Sequence, residues 1–223
     1  KIVALFHWDW PDSLFWMIWI VAAATMTIGN VLALLQTNIK RMLAYSAISH
    51  MGFFLLGILS ASDNGYSSAM FYVLVYAVMS LGSFGVIILL SRKGFEADQL
   101  NDFKGLAKRS PWIAFLMLLL MLSMAGVPPT VGFYAKLLVL QSVVDAGMLW
   151  LAVVAVLLAV IGVYYYLRII KLMYFDDVED TTPIVASADM RAIISINAVA
   201  LIAVLPWVGT IMDWCKKAIQ GIA

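Results

Sequence analysis

Apolar runs of membrane-crossing length follow one another along almost the whole chain, at about 13–36, 41–60, 67–90, 112–142, 148–173 and 191–213. In hydrocarbon a backbone must satisfy its own hydrogen bonds, so a chain with such runs folds as helices or as a closed barrel. Runs of about 20 residues are helix-length, which makes the expected architecture an all-α, polytopic transmembrane helical bundle of about six spans. The remaining composition agrees, with 64% hydrophobic residues, 12% charged residues and a mean hydropathy of +0.98. That leaves almost no room for a soluble domain, and residues 1–223 are taken as a single transmembrane domain. The chain starts with lysine and shows no basic-plus-apolar leader, so it reads as a piece of a longer protein, with residues 1–8 the remnant of a preceding helix.

Several classes of chemistry are excluded by the same reading. A net charge of +1 without a basic cluster gives no surface for nucleic acid. Cys215 is the one cysteine, and no Cys/His spacing suits a metal, so neither a disulfide nor a metal centre is expected. No phosphate-cradling glycine loop, nucleophile elbow or dinucleotide fingerprint is present, and no cofactor-binding residue is assigned. Redox chemistry is therefore not expected on this chain.

Charge sets an orientation. Six spans put Lys40, Arg41, Arg92, Lys93, Lys104, Lys108, Arg109, Arg168, Lys171 and Arg191 on one side, and only Lys216 and Lys217 on the other. The positive-inside rule makes the first side cytoplasmic and leaves the C-terminus outside. Trp8, Trp10, Trp16, Trp19, Trp112, Trp207 and Trp214 cluster near span ends as an interfacial belt, and the acidic run at 176–180 reads as a solvated loop. Glycines in MSLGSFG and SHMG permit close helix contact.

Once those charges are placed, Lys1, Lys136 and His50 are the basic groups left for the membrane. Lys136 follows a break, MLSMAGVPPTVGFYAKLLVLQ (121–141), in the longest apolar run. Consecutive prolines at 128 and 129 remove two backbone donors, so with Gly126 they predict a discontinuous helix made of two half-helices. Freed carbonyls survive at membrane depth only where protein or water satisfies them. A charge there costs roughly 2.5 to 3.5 kcal/mol on insertion scales, and such charges mark transport paths. The alternative for Lys136 is snorkelling along the six or so residues to the outer helix end.

His50 lies ten residues past Lys40, hence about 15 Å deep on one helix. An imidazole titrates near pH 6.5 in water and suits a proton relay. Ser46, Ser49 and His50 share a helix face, with Tyr45 a turn before Ser49, and Tyr72, Tyr76, Ser80 and Ser83 repeat a polar stripe on the next span. These two stripes can line a hydrated path, or they can be interhelical hydrogen-bonding contacts, which are common in membrane bundles.

The segments GNVLALLQTNIKRMLAYSAISHMGFF (29–54) and SMAGVPPTVGFYAKLLVLQ (123–141) closely resemble the antiporter-like membrane subunits of respiratory complex I. The stretch YVLVYAVMSLGSFGV (72–86) lacks the histidine usual in the L and M members, which places the resemblance with the N-type branch. The resemblance implies the C-terminal six helices of a 14-helix subunit in the bacterial inner membrane, coupled to NADH–quinone electron transfer and moving protons. It implies that Lys136 is the lysine of the second discontinuous helix, that Lys1 is similar to the central-axis lysine, and that His50 lies between them. It places NADH, FMN, iron–sulfur clusters and quinone on partner subunits. Other membrane subunits of the complex, lipid, protons and water are then the implied partners. Two rivals remain open: a subunit of a multisubunit sodium/proton antiporter, which shares the fold, and a non-pumping structural subunit with fixed lysine charges.

Overall fold

A computed structural model of the chain describes residues 12–91, 94–178, 184 and 187–221; Lys1 and the 1–8 remnant lie outside these. Among the described residues the regular structure is helical, with a single isolated bridge between Asn38 and Gln99. The helices are α1 (Asp12–Leu34), α2 (Ile39–Leu59), α3 (Asp63–Leu90), α4 (Leu106–Arg109), α5 (Pro111–Ala125), α6 (Val131–Asp145), α7 (Leu149–Phe175), α8 (Ala188–Ala203) and α9 (Val208–Gln220).

Local chemistry sets the boundaries. Asn38 caps α2 by accepting from the Arg41 N–H, Ser62 caps α3 through the Gly65 N–H, and Ser187 caps α8 through the Met190 N–H. Pro111 opens α5 at a position where its missing donor does no harm. Gly126 closes α5 in the left-handed region at φ 81°. Its N–H reaches the Ser123 carbonyl and the Val127 N–H reaches the Leu122 carbonyl, both at 3.0 Å, which is a Schellman arrangement. The Pro128–Pro129 peptide is cis, and Thr130 is the extended residue from which α6 starts. The long run at 112–142 is thus two half-helices, each of 15 residues.

Ser13–Leu34, Ile39–Leu59, Asp63–Leu90 and Leu149–Phe175 are each long and apolar enough to cross a membrane. The run at 191–213 falls in a bent pair of helices. Ala188–Ala203 and Leu205–Gln220 are bent by 54° relative to each other. A 3-10 turn, Leu205–Trp207, interrupts them, since Pro206 offers no N–H to continue the helix. Beyond it α9 is amphipathic, with Met212 and Cys215 buried and Asp213, Trp214 and Lys217 exposed.

Packing puts α6 in the middle of the bundle, against α2, α3, α5 and α7, while α1 lies on α2 and α7. Gly29 and Gly52 let α1 and α2 approach closely, since a Cβ on Gly29 would stand 2.7 Å from the Ser49 nitrogen and one on Gly52 2.9 Å from the Ala22 carbonyl oxygen. Lys40, Lys108 and Arg168 lie at one end. There Lys40 pairs with Glu96 at 2.6 Å, Asn38 donates to Asp98 at 2.7 Å, and Arg168 donates to the Gln36 carbonyl at 3.4 Å. At that end the exposed Asp177 carboxyl is held below the usual carboxylate range by the hydrogen bond from Lys108 at 2.9 Å.

Candidate functional site

Lys136 sits on the second turn of α6, and its side chain runs back toward the break. Its Nζ donates to the Met124 carbonyl at 3.0 Å and to the Ala125 carbonyl at 2.9 Å. These are last-turn carbonyls of α5, which have no partner within their own helix and carry the negative end of its dipole. The cation therefore meets two oriented acceptors where the break exposes them. The Phe53 ring lies 5.4 Å from Nζ and adds a weak cation–π contact. Gly126 forms the floor of this nest: a Cβ there would stand 2.8 Å from Lys136 Cδ and 3.3 Å from Nζ. The snorkelling geometry is not the one adopted, since the ammonium points away from the α6 C-terminus.

His50 occupies the middle of α2 and is 4% exposed. Its Nδ1 is 2.6 Å from the Tyr72 hydroxyl and its Nε2 is 3.1 Å from the Tyr166 hydroxyl, so both ring nitrogens are engaged. A neutral imidazole donates from one nitrogen and accepts at the other, so one of these tyrosines donates to it and the other accepts. Tyr166 is also hydrogen-bonded to Ser46, and the Tyr76 ring stacks at a tilt 4.9 Å from His50. Five elements meet here: α1 brings Asn30; α2 brings Ser46, Ser49 and His50; α3 brings Tyr72 and Tyr76; α6 brings Lys136; α7 brings Tyr165 and Tyr166.

A small cavity joins the two centres. It is lined by Asn30, Ser49, His50, Phe53, Lys136, Ala159, Gly162, Tyr165 and Tyr166, and about 10 Å³ of it is open to the centre of a water molecule. That is room for about one water. Besides Lys136, His50 and Tyr166, the wall carries three further polar side chains, Asn30, Ser49 and Tyr165, so a water there has donors and acceptors to bind.

Of the residues singled out from sequence, Lys136, His50, Ser49 and Tyr72 come together, and Gly126, Pro128 and Pro129 form the break beside them. Tyr76 touches the cluster through its ring. Tyr45 is half-buried against the core and is not among the cavity-lining residues. Ser83 donates to the Met79 carbonyl of its own helix at 2.8 Å and faces Met124, so the α3 stripe diverges from the cavity there. Lys1 lies outside the described residues.

Sequence reasoning missed Asn30, Tyr165 and Tyr166. Tyr165 and Tyr166 are 2% and 1% exposed, although in sequence they precede Arg168 and look like part of an interfacial anchor. Asn30 is 1% exposed, accepts from the Tyr165 hydroxyl at 3.0 Å and donates to the Leu158 carbonyl at 2.9 Å. A lone amide inside an apolar span was the available signal, because burying one without partners costs a few kcal/mol. No group of three or more potential metal ligands occurs among the described residues.

Known proteins share this architecture. Residues 2–203 match the family described as NADH:quinone oxidoreductase/Mrp antiporter, TM. The chain is 58% identical over 211 residues to NADH-quinone oxidoreductase subunit N of Thiobacillus denitrificans, covering 95% of this chain and 43% of that protein. It is 57% identical over 212 residues to the same subunit of Nitrosomonas europaea, again 95% against 43%. The chain thus spans less than half the length of these relatives. Among solved structures, respiratory complex I from Thermus thermophilus with bound aureothin superposes with a TM-score of 0.79 at 28% identity, over 91% of this chain and 45% of that one. The Mrp complex from Dietzia sp. gives 0.80 at 22% identity, over 92% and 46%, a likeness of fold alone. With the family match extending over nearly all of its spans, the chain belongs to the NADH:quinone oxidoreductase/Mrp antiporter transmembrane family.

Proposed function

We propose that this chain is the C-terminal part of an N-type membrane subunit of a bacterial NADH–quinone oxidoreductase, and that it moves protons through Lys136, His50 and the water between them. The observation that carries this reading is the Lys136 ammonium, held on the Met124 and Ala125 carbonyls at the wall of a cavity that His50 also lines. Its proton can leave only if an acceptor comes near, and the cavity brings one. A water there can take the proton from Nζ and pass one of its own to the His50–Tyr166 pair, leaving Lys136 neutral until a proton returns. Tyr72 and Tyr166 hold the imidazole by both nitrogens, so the ring can release a proton at one as it gains one at the other.

In this proposal electron transfer occurs on partner subunits, which carry NADH, FMN, iron–sulfur clusters and quinone, and it reaches this chain as a change in the charges along the bundle. Lys1 would be the next basic group on that axis. The basic end with Lys40, Lys108 and Arg168 faces the cytoplasm and the C-terminus faces outside. The likeness to an Mrp complex supports the sodium/proton alternative only at the level of the fold.

The test uses the full-length complex in vesicles, with Lys136→Ala, measuring NADH–quinone electron transfer and proton uptake together. Proton movement is expected to fall on the order of a hundredfold, the usual contribution of a positioned proton-transfer group. Parental rates of both in an intact complex would overturn the proposal. Sodium uptake in place of proton uptake would favour the antiporter reading.

A further inference from the structure

Asn30 stands in α1 with both halves of its side-chain amide committed, and the chemistry of its partners fixes which half goes where. The Leu158 carbonyl can only accept, so the amide nitrogen must face it, at 2.9 Å. The amide oxygen is then left for the Tyr165 hydroxyl, which must donate, at 3.0 Å. Tyr165 has one hydroxyl proton, and its hydrogen bond to the Asn30 amide oxygen engages it. What the phenol oxygen has left is lone pairs, which face the Tyr166 and Ser46 hydroxyls as well as the cavity shared by Lys136 and His50.

The Lys136 side supplies the complement. An ammonium has three N–H bonds, and the Met124 and Ala125 carbonyls take two of them. The third is available to the cavity, whose size admits about one water. A water between this donor and a tyrosine oxygen that can only accept has its direction set: it receives from Lys136 and donates to Tyr165. Its remaining proton and lone pair are free for the His50–Tyr166 pair.

We infer that Asn30 is a positioning residue of the path: it makes Tyr165 a fixed acceptor that orients a single water between Lys136 and His50. Asn30 does not carry the proton. In the transfer the Nζ–H bond breaks and an O–H bond forms on the water, while another water O–H breaks as its proton passes to the relay. Tyr165 keeps its own proton throughout, donated in a hydrogen bond to the Asn30 amide oxygen. The Gly162 position is consistent with this arrangement, since a Cβ there would come within 3.2 Å of the Asn30 amide oxygen and crowd the bond.

This inference rests on the proposed proton translocation, so Lys136→Ala is run alongside. In the full-length complex, assembly and proton uptake per electron are measured for Asn30→Leu, Tyr165→Phe and the double variant. Each single variant is expected to lower proton uptake about threefold to tenfold, as for the loss of one neutral hydrogen bond. The double variant is expected to be no worse than Tyr165→Phe, because Asn30 acts through that hydroxyl. A mere packing role would instead multiply the two losses. If Lys136→Ala is defective while Asn30→Leu pumps at the parental rate, or while the double loss equals the product of the singles, the Asn30 inference falls and the pumping proposal stands. If Lys136→Ala pumps normally, both fall. Should Asn30→Leu prevent assembly, Tyr165→Phe alone decides: parental uptake overturns the inference, and a loss supports it.

Discussion

Among the described residues two helix breaks carry prolines, the one between α5 and α6 and the one between α8 and α9, and of these two the first has a charge at the break. Between α5 and α6 the chain turns through Gly126 and the prolines at 128 and 129, inside the bundle, and the exposed carbonyls of Met124 and Ala125 meet the Lys136 ammonium. Between α8 and α9 it turns through Leu205–Trp207, where Trp207 is 58% exposed and its N–H bonds the Val204 carbonyl at 2.9 Å. The second break leads into an amphipathic helix with an exposed tryptophan and lysine, the makeup of a segment at the membrane surface. A helix break in a membrane protein is therefore a site only when its unpaired backbone groups face a cavity and an ionisable partner. Where water or headgroups can serve them, the break only redirects the chain.

The comparison can be broken most forcefully at the first break. Replacing His50 with Leu leaves the Tyr72 and Tyr166 hydroxyls without their imidazole, and proton uptake in the intact complex is expected to fall about tenfold to a hundredfold. Retained uptake would move the path away from His50. Next come matched glycine substitutions. Gly126→Ala forces a Cβ into the left-handed region, at roughly 1 to 2 kcal/mol, and 2.8 Å from Lys136 Cδ. Uptake is expected to fall about tenfold as the ammonium leaves its carbonyls. Gly209→Ala, just after the second break, meets nothing within 4 Å and lies in a helix, so uptake should stay parental while the melting temperature is unchanged or slightly raised. Equal losses from the two would show that both breaks feed one mechanism.

Smaller effects sharpen the boundary. Tyr72→Phe removes one partner of His50 and keeps the ring, so a loss of about threefold in uptake is expected, measured beside His50→Leu. At the periphery, Asp177 has its pKa depressed by Lys108, so any stability from the pair is present above the ordinary carboxylate range and lost as pH falls through the lowered value. Both side chains are largely exposed, at 59% and 98%, and Asp177→Asn should leave thermal stability and uptake indistinguishable from the parent.

The sequence was most legible where one residue type has a narrow range of uses. Paired prolines after a glycine announced the α5/α6 discontinuity, and a lysine in the apolar run marked its partner. The single proline in LPW gives no such signal in hydropathy, because the surrounding apolar residues keep it high across a bend of 54°. Tyr165 and Tyr166 carry no local signal of a site, since they stand beside the basic residues Arg168 and Lys171 at a span end, whereas burial puts them with the His50 cluster. Tyr45, selected by its helical spacing, has no place at the cavity, since spacing along one helix does not say which neighbour covers that face.

The sequence by itself determined that the chain is a helical membrane bundle and that Lys136 lies beside a broken helix, because hydrocarbon imposes helix length and backbone satisfaction whatever the packing. Only the tertiary structure decided what Lys136 and His50 face. The carbonyls that hold the lysine come from 11 and 12 residues earlier, the second partner of His50 from 116 residues later, and the amide that aims Tyr165 from 135 residues away. Contacts across such separations depend on how helices rotate and approach one another, and that is set by close packing over whole faces rather than by any local pattern.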